Sequence, residues 1–276
     1  MHVKISPAMK RLTILLFLLI IAIISAIVLG LPLPQAIQDL LPNAIVKPNP
    51  VDKPGYTLLF QEEFEQPQLD LTRWNTQYWW GRVNGQELQY YEEDAFSIND
   101  GKLNIQARRN KLHDKNYTSG VITTLNTFSF QYGYVEVYAK LPKGRGLWPA
   151  FWLLSTTRND RSEIDVFEVI GHDPNTVYMT AHYINENGEA RFSQGKYKGT
   201  DYSAGYHIYA VEWTKDSIVW YIDGVERHRE NNNIPHESVY LLANLAVGGK
   251  WPGNPDSKTV FPANYQIDYI RVYQPN

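Results

Sequence analysis

From Tyr56 onward the chain is a succession of short runs in which apolar and polar residues alternate, and no long run past residue 55 follows the 3.6-residue period of a helix. Alternation with period two sends successive side chains to opposite faces of a strand, so one face can be buried while the other is solvated. The runs "KLNIQAR" at 102–108, "YGYVEVYAKL" at 132–141, "TVYMTAHYI" at 176–184, "YHIYAVEWT" at 206–214, "SIVWYIDG" at 217–224 and "YQIDYIRVYQ" at 265–274 all behave this way. "YLLANLAVGG" at 240–249 is apolar throughout, as a central strand covered on both faces requires. Asp100-Gly101 and Asp223-Gly224 are tight-turn signals. The pattern demands an all-β domain of many strands, a sandwich or a barrel. In length, residues 55–276 suit a jelly roll of two stacked sheets.

Composition narrows the function classes. The 276 residues contain no cysteine, which removes any disulfide framework or cysteine-based metal site. A net charge of −3 gives no bulk electrostatic case for nucleic acid. No HExxH, P-loop or dinucleotide fingerprint is present. The 19 tyrosines and 8 tryptophans supply rings that either pack a core or stack on sugar.

The N-terminus is a separate object. Lys4, Lys10 and Arg11 precede "LTILLFLLIIAIISAIVLGL", residues 12–31, which carries no charge and is long enough to span ~30 Å of hydrocarbon. The first acidic residue, Asp39, follows the run, so the positive-inside rule leaves everything after it outside the cytoplasm. Residues 32–54 hold six prolines and read as a spacer. The expected organisation is a basic cytoplasmic stub (1–11), one transmembrane signal anchor (12–31), a proline-rich linker (32–54) and an extracytoplasmic domain (55–276). The alternative is secretion after cleavage behind Gly30.

Within the domain, "RSEIDVFEVIG" at 161–171 puts Glu163, Asp165 and Glu168 into an apolar stretch. Buried carboxylates are costly unless paired or hydrogen-bonded. Glu163 and Asp165 share a face of a strand, whereas Glu168, five residues from Glu163, would face the other way. One extra residue, a β-bulge near Val166–Phe167, brings it back. Two carboxylates on one face suit glycoside hydrolysis, in which retaining enzymes hold nucleophile and acid/base ~5–5.5 Å apart. A calcium site or a salt-bridged strand would be built from similar acids.

"EIDVFE" resembles the bulged E-x-D-x-x-E signature of family 16 glycoside hydrolases. The likeness continues in the same order through "ELQYY" at 87–91, "GLWPAFWLL" at 146–154, "YHIYAVEWTKDSIVWYIDG" at 206–224, "LANLAVGGKWPG" at 242–253 and "IDYIRVYQ" at 267–274, which are similar to the bacterial laminarinase branch. The resemblance implies a concanavalin-like β-sandwich jelly roll of two curved antiparallel sheets. It also implies roles for single residues: Glu163 as nucleophile, Asp165 as the assisting carboxylate and Glu168 as acid/base. Asn84, Glu87, Trp148, Trp152, His182 and Trp251 match substrate-binding positions. Glu63, the Gly101 carbonyl and Asp268 match a structural calcium site; no cofactor is required. Two positions depart from the pattern: Val121 stands where an arginine usually binds sugar, and Ser162 stands where glycine precedes the first catalytic Glu. The expected activity is retaining endo-hydrolysis of β-1,3-glucan of laminarin type, with a mixed-linkage glucan or a bacterial exopolysaccharide as alternative substrates. A rival of another class is a non-catalytic, lectin-like carbohydrate-binding module. The expected partners are polysaccharide and, through the N-terminal run, a membrane, with the protein acting as a monomer.

Overall fold

The computed structural model describes residues 51–157, 162–185 and 187–276. The basic stub, the apolar run 12–31 and most of the linker lie outside the described residues. Short alternating runs become strands in chain order: β1 (Tyr56–Glu62), β2 (Gln89–Tyr91), β3 (Phe96–Asn99), β4 (Lys102–Ala107), β5 (Tyr117–Ser119), β6 (Val121–Thr123), β7 (Gly133–Lys140) and β8 (Leu147–Ser155). There follow β9 (Glu163–Val169), β10 (Thr176–Ile184), β11 (Ala190–Lys198), β12 (His207–Trp213), β13 (Ile218–Ile222), β14 (Val225–Glu230), β15 (Val239–Val247) and β16 (Ala263–Pro275). No helix occurs among the described residues.

The strands form two stacked antiparallel sheets, which decides for a sandwich over a barrel. One sheet runs β14-β13-β12-β7-β16-β4-β3, with β1 also paired to β16. The other runs β11-β10-β9-β8-β15-β6, and β2 pairs with β5 in a small parallel ribbon. All nine residues of β15 are buried between β8 and β6, as its unbroken apolar run requires. The core lies between the sheets. Ile164, Val166, Phe167 and Val169 of β9 meet Tyr209, Val211 and Trp220 of the facing sheet, and the Phe167 and Tyr209 rings stand 4.3 Å apart.

The residues expected to hold calcium are otherwise engaged. Both Glu63 oxygens accept from Arg271, from Nε at 2.7 Å and from Nη2 at 2.9 Å. Asp268 pairs with Lys102 at 3.4 Å. Calcium needs six to eight oxygen ligands whose negative charge is available to it. Here each carboxylate faces a protein cation, so calcium ligation through the Glu63 or Asp268 side chain would compete with Arg271 or Lys102.

Candidate active site

The six-stranded sheet carries the acids. Against β8, Phe167 pairs with Phe151 and Asp165 with Trp152, leaving Val166 without a partner. Against β10 the register shifts at the same place, between Tyr178 and Thr180. This is the bulge that the carboxylate spacing requires. It turns the consecutive residues Val166 and Phe167 both into the core and returns Glu168 to the face of Glu163 and Asp165. A bulge interrupts the ladder and frees backbone groups. The Asp165 carbonyl accepts instead from Trp220 Nε1 of the opposite sheet at 2.8 Å.

Register then defines three lateral rows on that face. Asn244, Ala150, Glu168, Tyr178 and Lys196 lie opposite one another across five strands. The next row holds Leu242, Trp152, Asp165, Thr180 and Gln194, and the third Tyr240, Leu154, Glu163, His182 and Phe192. His182 Nε2 lies 3.2 Å from Asp165 Oδ2 and 3.7 Å from Glu163 Oε1, bridging the two acids. Trp148 Nε1 donates to Glu168 Oε1 at 3.2 Å. Burial pushes the Glu163 carboxyl well above the usual carboxylate range, and the charges of Asp165 and Glu168 push it further. Glu168 is raised by burial and then by the Asp165 charge, with the Trp148 bond working the other way. Glu163, Asp165 and His182 bring potential ligand atoms within 4.8 Å of one another. They are the groups that could hold a cation here, although two of them are also the acids of the "EIDVFE" signature.

Two cavities meet at Glu163. One, of about 210 Å³, lies between the loop before β2 and the face of β8 and β15, and is lined by Trp80, Asn84, Glu87, Trp148, Trp152, Asn244 and the three acids, among others. Glu87 is almost fully buried. It accepts from Asn84 Nδ2 at 2.9 Å, from Tyr91 Oη at 3.1 Å and from Gln89. Burial raises its pKa, and those hydrogen bonds oppose the rise. Tyr91 Oη in turn takes the Asn244 amide at 3.2 Å, and Asn244 Oδ1 takes Trp152 Nε1 at 2.8 Å. Trp152 is therefore a largely buried wall of the cavity, whereas Trp148 and Trp251 present surface. Trp251 is 40 % exposed and stands edge-on to Trp148 at 5.3 Å and to Tyr178 at 4.8 Å. Val121 is buried under this cavity with Tyr78, Tyr91 and Trp152, so an apolar contact occupies the position where the resemblance expects an arginine.

The second cavity, of about 500 Å³, is lined by Trp79, Trp80, Leu154, Glu163, His182, Tyr183 and Arg191, among others. Trp80 stacks on Tyr78 at 4.4 Å and takes Trp79 edge-on at 5.3 Å. Sequence reasoning passed over Trp79, Trp80, Tyr178 and Asn244. The signal for the first two was present in "YWWG", three adjacent rings directly before a glycine.

Residues 84–271 match the model of the glycosyl hydrolases family 16. The chain belongs to family 16. This family 16 chain is 36 % identical over 248 residues to the endo-1,3-1,4-beta-glycanase EglC of Rhizobium meliloti, covering 81 % of this chain and 53 % of that protein. It is also 36 % identical over 261 residues to the glucan endo-1,3-beta-glucosidase A1 of Niallia circulans, covering 80 % and 38 %. The chain thus spans about half or less of the length of these two curated relatives. The laminarinase catalytic domain of Thermotoga maritima superposes with a TM-score of 0.70 at 34 % identity, covering 79 % of this chain and 98 % of that domain.

Proposed function

We propose that this family 16 domain is a retaining endo-β-glucanase acting on β-1,3-glucan of laminarin type. The observation that carries the reading is the bulge at Val166, which sets Glu163, Asp165 and Glu168 on one face of a cleft walled by aromatic rings. The names of the relatives support glucan as the substrate class.

Glu163 attacks the anomeric carbon and forms a glycosyl-enzyme ester, while Glu168 protonates the departing oxygen. Glu168 then takes a proton from water, which attacks the same carbon from the vacated side, so the configuration is retained. Elevated proton affinity suits Glu168, which must begin as the acid. The indole N–H of Trp148 orients it. Asp165 and His182 hold Glu163 in place, with His182 Nε2 bridging the two carboxylates. The cavity beside Asn84, Glu87 and Trp152 takes the donor sugars. A lectin-like module needs no such opposed acids. The apolar run 12–31 anchors the chain in a membrane with this domain outside the cytoplasm, a reading supported by its length and by the basic residues before it.

The test is NMR of products from a soluble β-1,3-glucan. Wild type releases the β-anomer first. Glu163→Ala lowers turnover by about 10⁴-fold or more, the scale on which removing a nucleophile acts. Added azide restores turnover with inverted configuration, because a small anion fills the vacated space. Turnover by Glu163→Ala equal to wild type would refute the assignment, and binding without cleavage by wild type would establish the lectin-like alternative.

A further inference from the structure

We propose that Glu87 is a positioning residue: its Oε2 atom is the acceptor end of two lines of hydrogen bonds that hold Asn244 and Trp152 as walls of the donor cavity. The proposal rests on the reading of that cavity as the seat of the donor sugars.

Both lines run one way. The Trp152 indole N–H can only donate, so Asn244 meets it with Oδ1, at 2.8 Å. That turns Asn244 Nδ2 to Tyr91 Oη at 3.2 Å, and the tyrosine, receiving there, gives its own O–H to Glu87 Oε2 at 3.1 Å. The second line starts at the backbone N–H of Val247, which donates to Gln89 Oε1 at 2.7 Å. Gln89 must then present Nε2 to Glu87, and it donates to the same Oε2 atom. Each line begins at a group with no acceptor function, so each must end on an acceptor.

Burial makes the arrangement stiff. Gln89 and Tyr91 are fully buried, and Glu87, Asn244 and Trp152 nearly so. A buried donor left without its acceptor is costly, so no member turns over alone. The lines join three elements: β2 carries Gln89 and Tyr91, β8 carries Trp152, and β15 carries Asn244 and Val247. Asn244 stands in the row of Glu168 and Trp152 in the row of Asp165, so the lines fix the cavity wall beside the acids. Glu87 reaches Trp152 through two intermediaries, Tyr91 and Asn244. Its other oxygen, Oε1, accepts from Asn84 Nδ2 at 2.9 Å. An amide at position 87 could therefore keep its oxygen toward Tyr91 and Gln89 and turn its nitrogen to Asn84, whose own amide can present oxygen instead.

The test uses Tyr91→Phe, which deletes one hydroxyl and leaves Glu87 untouched, with Glu87→Ala and Glu87→Gln. Binding of a β-1,3-gluco-oligosaccharide is measured by calorimetry in the Glu163→Gln background, and kinetics on laminarin without that change. The Trp152 indole N–H is followed by NMR, assigned through Trp152→Phe. Tyr91→Phe and Glu87→Ala should each weaken binding and raise KM about ten-fold, with a smaller change in kcat. Glu87→Gln should recover most of the affinity. Tyr91→Phe should add nothing to Glu87→Ala, because both cut the same line. The indole signal should move in Tyr91→Phe and Glu87→Ala and return in Glu87→Gln. Unchanged affinity or an unmoved indole signal in a folded Tyr91→Phe overturns the proposal, and additive losses would make Glu87 a sugar ligand in its own right. Should Tyr91→Phe fail to fold, the contrast between Glu87→Ala and Glu87→Gln decides in its place. If the unsubstituted protein neither binds nor cleaves glucan, the glucanase reading falls and the indole signal alone decides for or against the two lines.

Discussion

Glu163 and Glu168 hold their protons more tightly than free carboxylic acids, and this has a consequence for stability as well as for rate. Each folded-state pKa lies above the unfolded value, so between the two the native protein binds more protons than the unfolded chain. Stability contributed by these groups is complete below the ordinary carboxylate range, roughly pH 4, and is lost as pH rises through the raised pKa values. Replacing Glu163 by Gln removes its part of that loss. Glu163→Gln should therefore melt higher than wild type at pH 8 and no higher at pH 4, with ~2–4 °C for each kcal/mol of relief. Equal melting temperatures at both pH values would show that the site does not strain its acids. The same residues make a kinetic prediction. Glu168→Ala should retain much more activity on aryl glycosides with good leaving groups than on glucan, since such groups depart unprotonated. Asp165→Asn should fall between Glu168→Ala and wild type on those aryl glycosides, because nucleophile and acid both remain.

At the scale of elements, the bulged β9 is held from behind. Trp220 fills the core and gives its N–H to the Asp165 carbonyl, the group that the interrupted ladder leaves over. Trp220→Phe keeps a ring in the core and deletes that donor. An unsatisfied buried acceptor costs about 1–3 kcal/mol, so the variant should unfold at lower denaturant with an unchanged m-value. Its kcat should fall roughly ten-fold with little change in KM, because loosening the bulge misplaces Asp165 and Glu168 without touching the sugar walls. A change confined to stability would mean that the bulge holds its shape without Trp220. At the sheet edge, Gly195→Ala drives a methyl into the His228 ring. Overpacking of this kind costs about 1–3 kcal/mol and should displace β11 from β14, which protection of β11 amides from hydrogen exchange would report.

At the scale of the whole molecule, the domain is a sandwich with its chemistry on one open face, and the apolar run sits before a proline-rich spacer. Fractionated cells expressing the full chain should yield it in the membrane pellet, starting near Met1, resistant to high salt and released by detergent. A soluble product that begins just after Gly30 would replace the anchor with a cleaved signal.

The amino-acid order alone determined the class of fold and the grouping of three acids at its centre. Period-two alternation over so many short runs admits only an all-β sandwich or barrel, and the odd interval between Asp165 and Glu168 demands a bulge if all three acids are to share a face. Both are local facts about which side of a strand is buried, and local pattern records them. The edge strands were less legible. Much of β11, "ARFSQGKYK", and β14, "VERHRE", is polar because solvent covers much of an edge, so neither run shows an apolar stripe. Alternation also says nothing about which strands become neighbours. Only the tertiary structure decided that Lys196 stands in one row with Glu168, that Asn244 and Tyr91 tie Glu87 to Trp152, and that Trp79 and Trp80 reach Glu163's cavity. It likewise gave the Glu63 carboxylate to Arg271, 208 positions away. Pairing of distant strands and the partner chosen by a charge are set by packing across the whole sandwich, and no short stretch of sequence contains that information.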